Sequence, residues 1–308
     1  MTDPVTDPVT DAVTDPAADP RTDVPAPPPT EPLADARISR RALLGVGAVA
    51  VPCLAGSALL FDWLTGLADD GTTVNPEPIS ARYDATAHRW GFIVDTNRCI
   101  GCGLCVVACK DENNVPDEPE YTRTWVERHT TTADGVVHVD SPEGGIYGFE
   151  PGLAPAAVDG SAVTDVRFVP RLCMQCEESP CTTVCPVGAT YRAADGVILV
   201  DEDRCNGCGY CVVACPYGAR YIVPAGDVTP RGVAGVADKC TFCYHRITNG
   251  GRPACVEVCP VGARLFGDLN DPASPVSVAK REVPTTLLRE DLGTKPRVAY
   301  IGMEGEAG

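Results

Sequence analysis

At 308 residues the chain has room for one large or two small domains, yet it holds 6 phenylalanines against 17 cysteines, 30 glycines and 29 prolines, which leaves little for a big apolar core. Its net charge of −17 argues against nucleic-acid binding, which depends on cations facing phosphates. A disulfide-stapled secreted domain fits poorly, because cysteines two residues apart cannot readily bridge each other.

Residues 1–38 repeat Thr-Asp-Pro-Val with small variations, at Thr2–Val5, Thr6–Val9 and Thr10–Val13. Acidic and proline-rich, this leader is predicted to be disordered; it carries −6 of the net charge and leaves −11 to the rest. Next come Ser39-Arg40-Arg41-Ala42-Leu43-Leu44 and an apolar run to Phe61. Two arginines before such a run, over residues 39–68, read as a twin-arginine export signal. A membrane anchor with positive flanks is the rival, weakened by Pro52 and Asp62. Export of a folded protein suits a chain whose thiols would be exposed to oxidation if threaded unfolded. Pro52 makes Cys53 a poor lipoprotein site, so Cys53 reads as a small apolar residue of the signal. No clean small-x-small cleavage site stands out near Ala48–Ala58, which leaves a retained anchor open.

A polar connection over 69–90 leads to a predicted strand, Gly91-Phe92-Ile93-Val94-Asp95, that delivers the first of four cysteine blocks. They read Cys99-x2-Cys102-x2-Cys105-x3-Cys109, Cys173-x2-Cys176-x4-Cys181-x3-Cys185, Cys205-x2-Cys208-x2-Cys211-x3-Cys215 and Cys240-x2-Cys243-x11-Cys255-x3-Cys259. The first and third have the bacterial ferredoxin spacing: three thiolates wrap one cubane, and the fourth cysteine reaches a second. Four complete blocks supply ligands for four [4Fe–4S] clusters. Zinc sites also use C-x2-C pairs but join two of them through a longer spacer.

Short strands are also predicted at Val166–Val169 and Val197–Val200, ahead of blocks two and three. Cys-Pro-x-Gly-Ala recurs at 185–189, 215–219 and 259–263. This repetition points to a duplicated small unit that needs its metal to fold. Residues 110–165 lack cysteine, with strand pieces expected at Thr124–Arg128 and Val136–Val139; they cover clusters, dock a partner or simply form a shielding surface loop. Within block four, Gly250, Gly251 and Pro253 predict a turn. The tail is helix-capable near Leu287–Leu292 and extended over Lys295–Val298. No second apolar run of spanning length occurs, so the body is expected to be soluble.

Basic residues precede each block: Arg98, Arg204 and Lys239 directly, and Arg171 two positions ahead. They either raise the potentials of nearby clusters or merely face water. His88, His129, His138 and His245 read as surface or packing residues. The chain shows no nucleotide fingerprint and no nucleophile with a base, so no active site of its own is expected.

The block order, the C-x2-C-x4-C-x3-C-P second block and the split fourth block resemble the four-cluster electron-transfer subunits of the dimethyl-sulfoxide reductase type. Within that family the chain looks most like the exported members serving polysulfide or tetrathionate reductases and formate-dependent nitrite reductase. Phe266-Gly267-Asp268-Leu269-Asn270-Asp271-Pro272 and Gly293-Thr294-Lys295-Pro296 strengthen the likeness, which covers roughly residues 90–300. The resemblance implies an α+β fold of two ferredoxin-like dicluster halves with approximate two-fold symmetry, one inserted in the other. Residues 90–112 and 236–270 would form the outer half, 113–165 an insertion, 166–226 the inserted half and 271–308 a C-terminal docking tail. It also implies four ligand sets. The first is Cys99, Cys102, Cys105 and Cys259; the second is Cys109, Cys240, Cys243 and Cys255. The third is Cys173, Cys176, Cys181 and Cys215; the fourth is Cys185, Cys205, Cys208 and Cys211. The implied role is an electron relay on the periplasmic or outer face of the cytoplasmic membrane. It would join an integral membrane quinone-reactive subunit to a molybdopterin catalytic subunit, held at the membrane through partners or an uncleaved signal. A hydrogenase or multihaem cytochrome is the alternative partner, and a structural zinc module the alternative of another class.

Overall fold

The computed structural model describes residues 80–149, 157–229 and 232–303, all within one unit, Asp70–Gly308. The leader, the twin-arginine segment and Cys53 lie outside the described residues. Strand β1 (Trp90–Asp95) leads through block one into helix α1 (Leu104–Asn113). The cysteine-free stretch then folds as β2 (Thr124–Thr132), β3 (Val137–Asp140), β4 (Ala157–Val158) and β5 (Ser161–Leu172). Block two ends in α2 (Pro180–Thr183) and is followed by β6 (Thr190–Arg192) and β7 (Ile198–Val200). Block three carries α3 (Tyr210–Val213), followed by β8 (Tyr221–Ile222) and β9 (Ala237–Asp238). Block four holds α4 (Tyr244–Ile247) and α5 (Ala254–Glu257), and the chain finishes with β10 (Arg264–Asp268), α6 (Pro275–Glu282) and β11 (Val298–Ile301). No helix among the described residues is long and apolar enough to cross a membrane.

The sheets bring distant blocks together. β1 pairs antiparallel with β10, from Trp90↔Asp268 to Val94↔Arg264, and parallel with β11 on its other edge. Block one, which follows β1, is thereby set beside block four, which precedes β10. Hairpin β6–β7 lies between blocks two and three, and the β8–β9 pair between blocks three and four. Four-residue helices such as α2 to α5 are too short to be stable alone, so the loops they carry depend on what the thiols bind.

Strand β5 is longer than the expected Val166–Val169. It pairs with β2 from Thr124↔Leu172 to Thr132↔Val163, with a bulge at Thr131/Thr132. The strand that delivers Cys173 therefore also belongs to the sheet of the cysteine-free stretch, whose order is β3-β2-β5-β4. The tail differs from expectation too. Residues 287–292 give only a 3-10 turn at Glu290–Leu292, and the helix lies earlier, at Pro275–Glu282. Ser274 caps it by accepting from the Ser277 N–H at 3.3 Å, Pro275 opens it, and Lys280 and Arg281 meet the negative end of its dipole.

The core is real but narrow. Phe92, Val94, Val106, Leu172, Met174, Phe242, Phe266 and Tyr300 are buried around the cysteines. Phe92, Phe242 and Phe266 meet with ring centroids 5.5–6.3 Å apart. Buried Asp195, between β6 and β7, ties the middle of the chain to its ends. Its carboxylate accepts from the Tyr83 hydroxyl at 2.5 Å and its carbonyl from Arg297 Nη1 at 2.7 Å. The neighbouring Gly196 has φ +84°, and a Cβ there would lie 2.1 Å from the Arg297 guanidinium.

Candidate metal centres

Each C-x2-C pair must turn back sharply so that its thiols converge. In all four blocks the residue before the second cysteine adopts a left-handed backbone: Gly101 (φ 68°), Gln175 (48°), Gly207 (67°) and Phe242 (57°). Glycine does this without steric cost, whereas the other two carry strain of about 1–2 kcal/mol each. Their side chains offset it. Buried Gln175 donates to the Cys240 carbonyl and accepts from the Ile198 N–H, both at 2.7 Å, and Phe242 joins the aromatic core.

The turned backbone aims N–H groups at sulfur. Phe242 donates to Cys240 Sγ at 3.4 Å, Ala237 to Cys205 Sγ at 3.3 Å and Ala263 to Cys259 Sγ at 3.2 Å. Thr190 donates to Cys185 Sγ at 3.5 Å. This explains the repeated Cys-Pro-x-Gly-Ala motif. Gly188, Gly218 and Gly262 all have positive φ, and at Cys185 and Cys259 the chain then turns back to deliver a donor to the thiol that opens the motif.

Cys99, Cys102, Cys105 and Cys259 line one cavity, with about 330 Å³ of space free of protein atoms. Cys109, Cys240, Cys243 and Cys255 line a second of about 300 Å³, walled by Phe92, Leu172 and Phe242. Helix α1 supplies Cys105 to one and Cys109 to the other, a rise of about 6 Å apart. Cys176 has Cys173, Cys181 and Cys215 as its electrostatic neighbours, and Cys211 has Cys205. Cys185 is half-buried and Cys208 exposed. Neighbouring groups also touch electrostatically: Cys255 senses Cys105, Cys240 senses Cys173, and Cys211 senses Cys181. These contacts bring block one beside block four, block four beside block two, and block two beside block three. Two of the block thiols, Cys102 and Cys208, are exposed.

The donor set fits cubane clusters. Among the described residues no three His, Cys, Asp or Glu groups converge closely enough to hold one metal ion. A zinc ion needs all its ligands at about 2.0–2.3 Å, whereas a cubane spreads four thiolates over four irons. Burial pushes the Cys99 thiol up to about 11 and those of Cys176 and Cys240 up to about 12. Burial also pushes Cys109 and Cys255 well up. Such thiols become stable thiolates only beside a strong positive charge, which iron supplies.

Most of the cations that precede the blocks are not buried at the thiols. Arg98 and Arg204 are exposed, and Arg171 pairs with Glu127 at 3.5 Å. Only Lys239 is buried at the cysteines, fully so, with Nζ donating to the carbonyls of Ile198 and Cys240. Burial holds it below the usual lysine value, although Cys173, Cys181 and Cys240 act in the other direction. Two arginines join it. Buried Arg264 donates from Nη2 to Cys105 Sγ at 3.1 Å and to Thr124 Oγ1 at 2.9 Å; its Nη1 has no hydrogen-bond partner in the protein. Buried Arg220 donates from Nη1 to Thr190 Oγ1 at 3.1 Å, while its Nε and Nη2 have none. Orphaned guanidinium donors beside thiols suit an anionic cluster, whose sulfurs accept hydrogen bonds. Each arginine directly follows the alanine of a Cys-Pro-x-Gly-Ala motif, a signal readable in the sequence.

A further group had no such signal. Asn113 Nδ2 lies 3.6 Å from Cys109 Sγ and 3.7 Å from Cys243 Sγ. Arg123 orients it through Nη1 to Asn113 Oδ1 at 2.8 Å and is itself held by two 2.8 Å bonds to Asp238, 115 residues away. The histidines face carboxylates instead: His88 faces Asp268, His129 Glu127 and His245 Glu112, while His138 lies on β3.

Two profiles of the 4Fe-4S dicluster domain match residues 98–189 and 164–269. The protein is 41% identical over 229 residues to a putative dimethyl sulfoxide reductase iron-sulfur subunit of Halobacterium salinarum, covering 71% of the present sequence and 81% of that protein. It is 38% identical over 219 residues to a tetrathionate reductase subunit of Salmonella typhimurium (70% and 74%). To a polysulfide reductase chain of Wolinella succinogenes it is 37% identical over 216 residues (70% and 95%). Two ferredoxin-like dicluster domains give it four [4Fe–4S] clusters. The protein belongs to the iron–sulfur electron-transfer subunits of the dimethyl-sulfoxide reductase type.

Proposed function

We propose that this subunit relays electrons along four clusters, held by the four ligand sets in the order first, second, third, fourth. It would connect a membrane quinone-reactive subunit to a molybdopterin catalytic subunit. The observation that supports this is the contrast in burial: Cys109, Cys240, Cys243 and Cys255 are buried, whereas Cys102 of block one and Cys208 of block three are exposed. Apolar side chains surround both ends: Ile100 and Leu104 near Cys102, Tyr210 and Val213 near Cys208. Such surface suits docking.

The relay is built from two halves, one inserted in the other. The β1–β10 pairing supports the outer half, and the two arginines support the symmetry. Arg264 follows block four and donates to Thr124, downstream of block one; Arg220 follows block three and donates to Thr190, downstream of block two. Ser39-Arg40-Arg41 and the apolar run after it support export by the twin-arginine route to the outer face of the cytoplasmic membrane.

Affinity purification of the tagged protein from gently solubilised membranes, with metal analysis and mass spectrometry, tests the partners. Molybdenum or tungsten with a large catalytic subunit and an integral membrane protein is the expected result. Nickel or c-type haem would replace the catalytic partner by a hydrogenase or multihaem cytochrome, and recovery alone would contradict the relay between two subunits.

A further inference from the structure

We infer that Lys239, Arg220 and Arg264 are junction cations, one between each successive pair of clusters, and that each raises the potentials of both clusters it separates. This rests on the ligand sets proposed above. Arg264 touches Cys105 of the first set and has Cys255 of the second as an electrostatic neighbour. Lys239 has Cys240 of the second set beside it and senses Cys173 and Cys181 of the third. Arg220 donates to Thr190 Oγ1 at 3.1 Å, and the Thr190 N–H donates to Cys185 Sγ of the fourth set at 3.5 Å; Cys173, Cys181 and Cys215 of the third set are its electrostatic neighbours. Three junctions hold three cations, all at most 5% exposed.

Such placement has a physical consequence. Each [4Fe–4S] cluster with four thiolates is an anion, and reduction adds one electron with no bond made or broken. In a buried line the charge of one reduced cluster opposes reduction of the next. A cation beside thiolates of two sets would offset charge on both sides. Solvent cannot do this in the buried middle. The orphaned N–H groups of Arg264 and Arg220 and the third proton of Lys239 add donors for cluster sulfur. The cations thereby let adjacent clusters hold electrons at the same time, so the line can store more than one electron for its partner. The two arginines differ from the lysine in origin. They stand at equivalent places after Cys-Pro-x-Gly-Ala motifs, whereas Lys239 joins Ile198 to Cys240 across the centre.

The pattern of shifts tests the idea without assigning any spectrum. The whole protein, with its clusters, is titrated with dithionite and followed by electron paramagnetic resonance, alongside Arg264→Met, Lys239→Met and Arg220→Met. Each substitution should make two of the four clusters at least tenfold harder to reduce, which is about 59 mV for one electron. Arg264→Met and Arg220→Met should move two disjoint pairs, and Lys239→Met one member of each pair. Arg264→Lys and Arg220→Lys, which keep the charge, should recover most of the potential. A shift of one cluster, of all four equally or of none, in protein with full iron and sulfide, overturns the inference. If a methionine variant loses iron, the charge-keeping variant (Arg264→Lys, Arg220→Lys or Lys239→Arg) is decisive: its smaller shift must fall on the same two clusters. Iron and sulfide counts on the unaltered protein test the ligand sets separately, since a short count there contradicts those sets and not the cations.

Discussion

Replacing Arg123 should expose how much of the second centre rests on one buried ion pair. Its side chain is 6% exposed and that of Asp238 10%, and the two meet through paired 2.8 Å bonds. Arg123→Met would leave the Asp238 carboxylate nearly dry, with the Tyr221 hydroxyl at 2.5 Å as its main remaining donor. Removing one partner of such a pair costs about 3–5 kcal/mol, chiefly for the charge left behind. Removing both, as in Arg123→Met with Asp238→Leu, should recover most of that loss. Cluster proteins seldom unfold reversibly, so the suitable assay is the rate at which visible cluster absorbance disappears in guanidinium chloride. If most of the cost appears in the unfolding barrier, the single substitution accelerates loss roughly 100-fold or more. The double variant should approach the parent. Asn113 would lose the bond to its Oδ1 in both, while keeping that from its Nδ2 to the Cys109 carbonyl at 3.0 Å, so the resonance signal of one cluster should stay altered even where stability returns. A double variant as unstable as the single, or a single variant within about fivefold of the parent, would refute the reasoning.

Three further outcomes are expected. A Cβ at Gly103 would lie 2.5 Å from the Gly145 carbonyl oxygen and 2.7 Å from the Gly148 nitrogen, at φ +74°; Gly103→Ala should lift residues 145–148 off block one and speed ferricyanide attack on one cluster. The Glu127 carboxyl is raised by burial but held below its ordinary 4.5 by hydrogen bonds from His129 and Trp125 and by the charge of Arg171. Its stabilisation is therefore full above about pH 4.5 and lost as pH falls through the lower folded value. Limited proteolysis of the β2–β5 sheet should accelerate below that pH in the parent and respond less to acid in Glu127→Gln. Removal of iron by a chelator under reducing conditions should unfold the four-residue helices α2 to α5, while the nine-position β2–β5 ladder keeps its amide protection. Uniform loss of protection would show that the ladder also depends on the clusters.

The sequence made the chemistry legible because the ligands are local. Every block brings its first three thiols within 7 to 16 residues, and Gly101 and Gly207 mark two of the turns. The strands entering blocks one and three were readable for the same reason. What escaped depends on contacts across the chain. Arg123 and Asp238 meet only because α1 and β9 are packed together. The full length of β5 is set by its pairing with β2. Arg264 and Arg220 were within reach, one residue beyond a repeated motif, but only the fold shows that they point inward while Arg98 and Arg204 face water. The tail helix was missed because its signals, Ser274 and Pro275, lie outside the more apolar stretch at 287–292.

Whether the sixteen block cysteines hold four cubane clusters is decided by iron and acid-labile sulfide, measured per polypeptide on anaerobically purified protein. About sixteen irons and as many sulfides are predicted. About twelve irons would mean that one ligand set does not form, and zinc without sulfide would contradict the electron relay altogether.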